Sequence, residues 1–309
     1  MSISLFTTGR SGLVYLVGAG MLWGTGGLLG TLLGRATGLS PVAVAACRLA
    51  VGGLLLVAIL ALARRPWPRN LLAWRRIGAV GALAATFQAC YFGAVAASSV
   101  SVATLITIGA SPVVVALLEQ LTGRRAVDRR RAATIGLALA GLALLVGVPS
   151  DDLDAPGLLA GAALAVAAAG AFAAVTVISA RPIPGLDAMT TTGLGFTGGA
   201  VLLMPLALTT GITFEPNAGS LALLAALGLV PTAVAYTLYF RGLPAAGPGT
   251  AAVLALLEPL TGAILAAIVL GERLTPLGMM GGTLLTAALL LAANESRPSV
   301  VLSRGSTDS

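Results

Sequence analysis

Residues 253–274 read VLALLEPLTGAILAAIVLGERL. The first eighteen residues of this stretch carry one charge, Glu258, and the next residue is Pro259. A helix needs roughly twenty apolar residues to cross the hydrocarbon core of a bilayer, and this run has that length and character. An ionised acid at the bilayer centre costs roughly 2.5–3.5 kcal/mol on insertion scales, so such residues face a cavity or pair with another charge. Proline removes a backbone donor and disrupts the carbonyl four residues back, here that of Ala255. A freed carbonyl beside a carboxylate predicts a polar patch in the wall of a wet cavity.

The rest of the chain agrees with a membrane reading. Of 309 residues, 57% are hydrophobic and 9% charged, and the mean hydropathy is +0.99. A water-soluble domain has about a quarter charged residues. The 40 glycines fit transmembrane helices, which tolerate Gly and pack through it. Cys47 and Cys90 both fall in apolar segments, so a disulfide framework is not expected and they read as small buried residues. There is no His, which excludes imidazole metal sites and His-based catalysis. No metal and no cofactor is expected.

Ten stretches qualify as spans: 12–34, 41–62, 77–97, 99–121, 132–149, 157–180, 189–210, 219–240, 248–270 and 275–293. The third and fourth are divided by the short uncharged turn AASSVSVAT. Nothing is left over for a soluble domain. The first span lacks a small-residue cleavage site, so it reads as a retained helix and not a signal peptide. All 18 basic residues are arginine. Arg64, Arg65, Arg69, Arg75 and Arg76 lie between spans two and three, and Arg124, Arg125, Arg129, Arg130 and Arg131 between spans four and five. Asp151, Asp152 and Asp154 lie in the loop after span five. Basic loops stay cytoplasmic, which predicts a multi-pass cell (inner) membrane protein with both termini inside. Arg297 and Arg304 then sit inside, and Arg35 and Arg273 face outward. The net charge of +7 is thereby a topology signal, and no nucleic-acid partner is expected.

The chain also repeats itself. Tyr91-Phe92-Gly93-Ala94-Val95-Ala96-Ala97 reads like Tyr239-Phe240-Arg241-Gly242-Leu243-Pro244-Ala245. The stretch ASPVVVALLEQLTGRR, Ala110 to Arg125, reads like LEPLTGAILAAIVLGER, Leu257 to Arg273, allowing a one-residue slip. The last span resembles Thr134 to Gly147 in character. The offset stays near half the chain length, which gives five spans per half. Five is odd, so the second half enters the membrane from the opposite side. The expected fold is all-α: ten transmembrane helices as two inverted five-helix repeats, 1–149 and 150–294, followed by a cytoplasmic tail, 295–309. Inverted repeats are the architecture of secondary transporters, with substrate near the midplane between halves.

Trp23-Gly24 in the first span, Glu258-Pro259, and Gly271-Glu272-Arg273-Leu274-Thr275 resemble the EamA family of the drug/metabolite transporter superfamily, over nearly the whole chain. The first repeat departs from that pattern, with Ser111-Pro112 for the Glu-Pro pair and Gly123-Arg124-Arg125 for Gly-Glu-Arg. The resemblance implies a ten-helix inner-membrane carrier, usually an exporter of amino acids or other small metabolites.

Candidate site residues follow from polarity inside spans. Glu258 is expected to line a central cavity and to bind protons or a substrate cation; the alternative is a structural partner for Arg48. Burial disfavours the charged form of an acid, and a carboxyl that loads and releases a proton is what a proton-coupled antiporter needs. Arg48 offers a planar fork to a carboxylate or phosphate, or else an interhelical ion pair or snorkelling to the outer interface. Gln88 and Tyr91 in span three, and Tyr236 and Tyr239 in span eight, occupy related repeat positions. Tyr236 and Gln88 are the stronger cavity candidates, because Tyr239 beside Arg241 can serve as an interfacial anchor. Trp23, Thr104, Thr107 and Ser111 either face the cavity or pack between helices. Pro259 and Pro112 are expected helix kinks. Glu119 is expected to bridge Arg124 or Arg125 at the interface. Gly26-Gly27 and Gly52-Gly53 are read as sites of close helix contact.

These residues predict alternating access around a central site containing Glu258, with a small-molecule substrate, the lipid bilayer and protons as partners, in a monomer or homodimer. A multidrug or organic-cation proton antiporter is the runner-up. An intramembrane enzyme would need a catalytic constellation, and the chain has no His, no G-x-S-x-G elbow and no paired membrane aspartates. No Walker A motor is present.

Overall fold

The computed structural model describes residues 4–147, 155–269 and 275–295. Asp151, Asp152, Asp154, the Gly271-Glu272-Arg273-Leu274 stretch, Arg297 and Arg304 lie outside the described residues. The helices are α1 (Ser4–Thr37), α2 (Pro41–Leu62), α3 (Leu71–Ala97), α4 (Val100–Leu121), α5 (Arg129–Val146) and α6 (Ala155–Ser179), then α7 (Ala188–Thr209), α8 (Ala218–Gly228), α9 (Ala235–Ala246), α10 (Pro248–Leu254), α11 (Leu257–Val269) and α12 (Pro276–Glu295). No strand occurs among the described residues.

Short polar residues set the starts. Ser40, Asn70, Ser99, Asp128, Asp187 and Asn217 each accept the backbone N–H three residues on, at the heads of α2, α3, α4, α5, α7 and α8. Each satisfies a donor the helix leaves unpaired. Ser98 and Ser99 divide α3 from α4, as the AASSVSVAT turn predicts. Gly247, at φ +83, closes α9 and admits Pro248 as the first residue of α10, a left-handed position that suits glycine.

Nine helical runs among the described residues are long and apolar enough to cross a membrane, with α8–α9 and α10–α11 each counting as one. Their outer faces are apolar and bare, as at Leu62 (85% exposed) and Leu121 (82%), which is how a lipid-facing surface looks. The expected fifth span, 132–149, is α5, and it is not among the nine. It opens on three arginines, and the end of the expected stretch lies outside the described residues.

The packing has a recurring pattern. α1 lies against α9 and α11, and α6 lies against α3 and α4. α2 packs on α7, and α5 on α12. α3 crosses α7 as α2 crosses α8. Bare backbone contacts mark the crossings. A Cβ on Gly52 would sit 2.6 Å from the Gly228 carbonyl oxygen, and one on Gly199 would sit 2.9 Å from that of Gly81. Gly52 and Gly199 are separated along the chain by the same offset as Gly81 and Gly228. Gly12 against Gly242 and Ala245 is likewise matched by Gly161 against Ala94 and Ser98.

Candidate functional site

A cavity of about 510 Å³ occupies the middle of the bundle. Its floor is buried: Trp23 on α1, Ser111 on α4 and Ala255 between α10 and α11. Its walls climb to exposed residues at one end, Arg35 and Pro41 around the α1–α2 turn and Val100 at the head of α4. The cavity therefore has a mouth at that end. All eight of the residues expected to face a central cavity line this one: Glu258, Arg48, Gln88, Tyr91, Tyr236, Trp23, Thr107 and Ser111. Thr104 joins them.

Two helix interruptions aim the key side chains. The span carrying Glu258 breaks between α10 and α11, so Glu258 sits in the first turn of α11, at the positive end of the helix dipole. Pro259 follows within that turn, where its missing N–H costs little. The Ala255 carbonyl is not left free, contrary to the expectation from the sequence. It accepts the Glu258 N–H at 3.0 Å. Pro112, by contrast, lies inside an uninterrupted α4.

The second interruption escaped the sequence reading. Between α8 and α9, residues Leu229–Val234 form a π-helical turn. Pro231 has no N–H to give to the Leu227 carbonyl, and the Thr232 hydroxyl donates to it instead, at 2.9 Å. A π turn holds one more residue than an α turn, so it rotates the downstream face by about 100°. Tyr236 and Tyr239 follow directly, and both rings meet Trp23, at 4.8 and 4.9 Å between centroids. The pair Gly228…Pro231-Thr232 was the available signal.

Phe87 and Phe172 complete an aromatic wall that the sequence did not single out. Phe172 meets both Trp23 and Tyr239. Tyr239 is not an interfacial anchor. It is 1% exposed, and its hydroxyl shares a 2.7 Å hydrogen bond with Thr176, because α9 packs its ring inward against α6. Tyr91 shares a 2.8 Å hydrogen bond with Thr104. Thr107 donates to the Ala165 carbonyl at 3.2 Å, and Ser111 to that of Thr107 at 2.7 Å.

The charges do not close on each other. Among the described residues no ion pair joins Arg48 to Glu258, although both line the cavity. Arg48 keeps its Nε buried without a hydrogen-bond partner, and so does the Trp23 indole Nε1. One wall is nearly bare, since a Cβ on Gly27 would meet nothing within 4 Å and one on Gly30 would touch Val44 alone. Gly27 thus serves the cavity and not helix contact, whereas Gly52 and Gly53 do meet neighbouring backbones. Glu119 also departs from expectation. Its partner is Arg131 of α5, not Arg124 or Arg125, and the pair is buried. Arg124 turns away to donate to the Val177 carbonyl. No group of three or more metal-ligating side chains exists among the described residues.

The model of the EamA-like transporter family matches the chain twice, over residues 10–147 and 159–294. The chain belongs to this family. EamA proteins form part of the drug/metabolite transporter superfamily. The chain is 30% identical over 285 residues to the uncharacterized transporter YwfM of Bacillus subtilis, covering 92% of this chain and 94% of that one. It is 25% identical to the uncharacterized inner membrane transporter YicL of Salmonella typhimurium, covering 93% and 97%. A solved crystal structure with 20% identity superposes with a TM-score of 0.78 over 91% of this chain and 98% of that chain, which shows a shared fold. This EamA protein is a multi-pass membrane protein of a transporter family.

Proposed function

We propose that the chain is an inner-membrane secondary transporter of small zwitterionic metabolites, amino acids or related solutes, working by alternating access. The observation that carries this is one cavity presenting Arg48 and Glu258 unpaired to each other, set among aromatic rings. The volume, about 510 Å³, is that of a small-molecule site. Arg48 offers its guanidinium to a substrate carboxylate. Glu258, the one acid lining the cavity, faces an ammonium or carries the coupling proton. The matched helix pairings and glycine crossings support two inverted five-helix repeats, with α5 as the fifth span of the first. The arginines of the α2–α3 and α4–α5 turns support a cytoplasmic closed end and cytoplasmic termini by the positive-inside rule. Export is the direction the family suggests.

Counterflow in proteoliposomes tests the reading, with zwitterionic, cationic and anionic solutes, with and without a pH gradient. Zwitterion exchange is expected in wild type. In Glu258→Gln, exchange is expected to survive while gradient-driven accumulation is lost. Absence of exchange for every zwitterion overturns the reading. Exchange of organic cations alone selects the antiporter alternative, which the aromatic wall favours through cation–π contact.

A further inference from the structure

The floor of the cavity continues into a seam between α4 and α10. Ser111, Val115 and Glu119 recur every four residues and share one face of α4. Gly249, Ala252 and Ala255 recur every three residues and share one face of the opposing segment. The two faces meet in layers. Ser111 and Ala255 line the cavity. Val115 and Ala252 pack with Ala173 and Val177 in a buried apolar plug. Beyond the plug lies the ion pair of Glu119 with Arg131, both about nineteen-twentieths buried (5% and 4% exposed).

Gly249 is fitted to that pair. A Cβ there would collide with Arg131 Nη2 and lie 3.0 Å from Glu119 Oε2. The α9–α10 junction of the second half thus rests directly on two charges of the first half. Their burial depends on it, because an ion pair removed from water is stable only while its surroundings stay closed and bonded. Arg131 Nη1 is buried without a partner, so water reaching the pair would satisfy a donor the closed form leaves empty.

Among the described residues, the equivalent layer at the mouth has no such device. Aligning Ser111 with Glu258 carries Glu119 to Ala266, or to Ala267 with the one-residue slip. Neither can hold a guanidinium. α11 has no buried residue, and α4 and α11 form no packed interface.

We infer that Glu119, Arg131 and Gly249 form a one-sided latch, which holds the closed end shut and sets the resting protein with its mouth open. This rests on the transporter reading. Opening the closed end lifts Gly249 off the pair and parts the seam from that side.

The experiment replaces Cys47 and Cys90 by alanine and follows alkylation by a water-soluble maleimide at one of two reporters. Ala252→Cys reports the seam, and Val100→Cys reports the mouth. Gly249→Ala keeps both charges and wedges the latch; Glu119→Gln removes its charge. Each is expected to raise labelling at Ala252→Cys by about tenfold and to lower it at Val100→Cys, as a population shift requires. Unchanged labelling at both reporters overturns the latch. A rise at both also overturns it, since that marks a loosened bundle. If Glu119→Gln does not fold, Gly249→Ala decides alone. Labelling needs no substrate, so a failure of counterflow with reciprocal labelling intact counts against the transporter reading and not against the latch.

Discussion

Arg48 and Glu258 share one cavity without bridging each other, and the proposed zwitterionic substrate would meet both. The arginine matters through its shape as well as its charge. A guanidinium presents a planar fork that grips a carboxylate at two points, which an ammonium does not. Arg48→Lys is therefore expected to keep the protein folded and to cut exchange of carboxylate-bearing solutes about tenfold, as loss of one charge-assisted hydrogen bond would. Competition among zwitterions and amines in the counterflow assay reads this directly; equal exchange in both proteins moves the carboxylate site elsewhere. Tyr239 carries a structural expectation of the same size. Thr176→Val removes the partner of a fully buried hydroxyl, and an unsatisfied buried polar group costs about 1–3 kcal/mol. Thermal unfolding in detergent is expected to shift down, with substrate preference unchanged.

At the scale of helices, glycine separates contact from cavity. Gly52 and Gly81 each face a carbonyl oxygen that an added Cβ would approach to 2.6 Å. Those neighbours are backbone and cannot rotate away, so Gly52→Ala and Gly81→Ala are each expected to cost about 1–3 kcal/mol. Two similar losses are expected, because the crossings are counterparts. Gly27→Ala meets open space, so the same thermal measurement is expected to show no loss, while large substrates are excluded. Nothing in the sequence marks which glycine is which. All lie in apolar helices, and the difference depends on what stands opposite. Nine of the ten expected spans were legible because apolar length is a local property, and the polar cavity-lining residues because a lone polar group in such a run must be satisfied. The π turn had only Gly228, Pro231 and Thr232 as its signal in the sequence, and it depends on the reach of Thr232 to the Leu227 carbonyl. The partner of Glu119 was not legible, since five arginines follow it before span five, Arg124 and Arg125 stand nearest in sequence, and only the fold puts Arg131 within reach.

The whole molecule is a cavity open at one end and sealed at the other by a seam of three layers. On the proposed alternating-access reading, the repeat pattern of helix contacts lets each half take up the arrangement the other now holds, which would exchange the sealed and open ends. The plug of Val115, Ala173, Val177 and Ala252 has an electrical consequence. Water in the open cavity brings the potential of one side of the membrane down to Ser111, and Glu119 lies eight residues further along the helix, about 12 Å away. Most of the membrane voltage then falls across that short dry layer. Each net charge moved past it experiences nearly the full field, about 2.3 kcal/mol per 100 mV. Exchange of a zwitterion for a proton is thus expected to produce a current on a solid-supported membrane, and zwitterion-for-zwitterion exchange none.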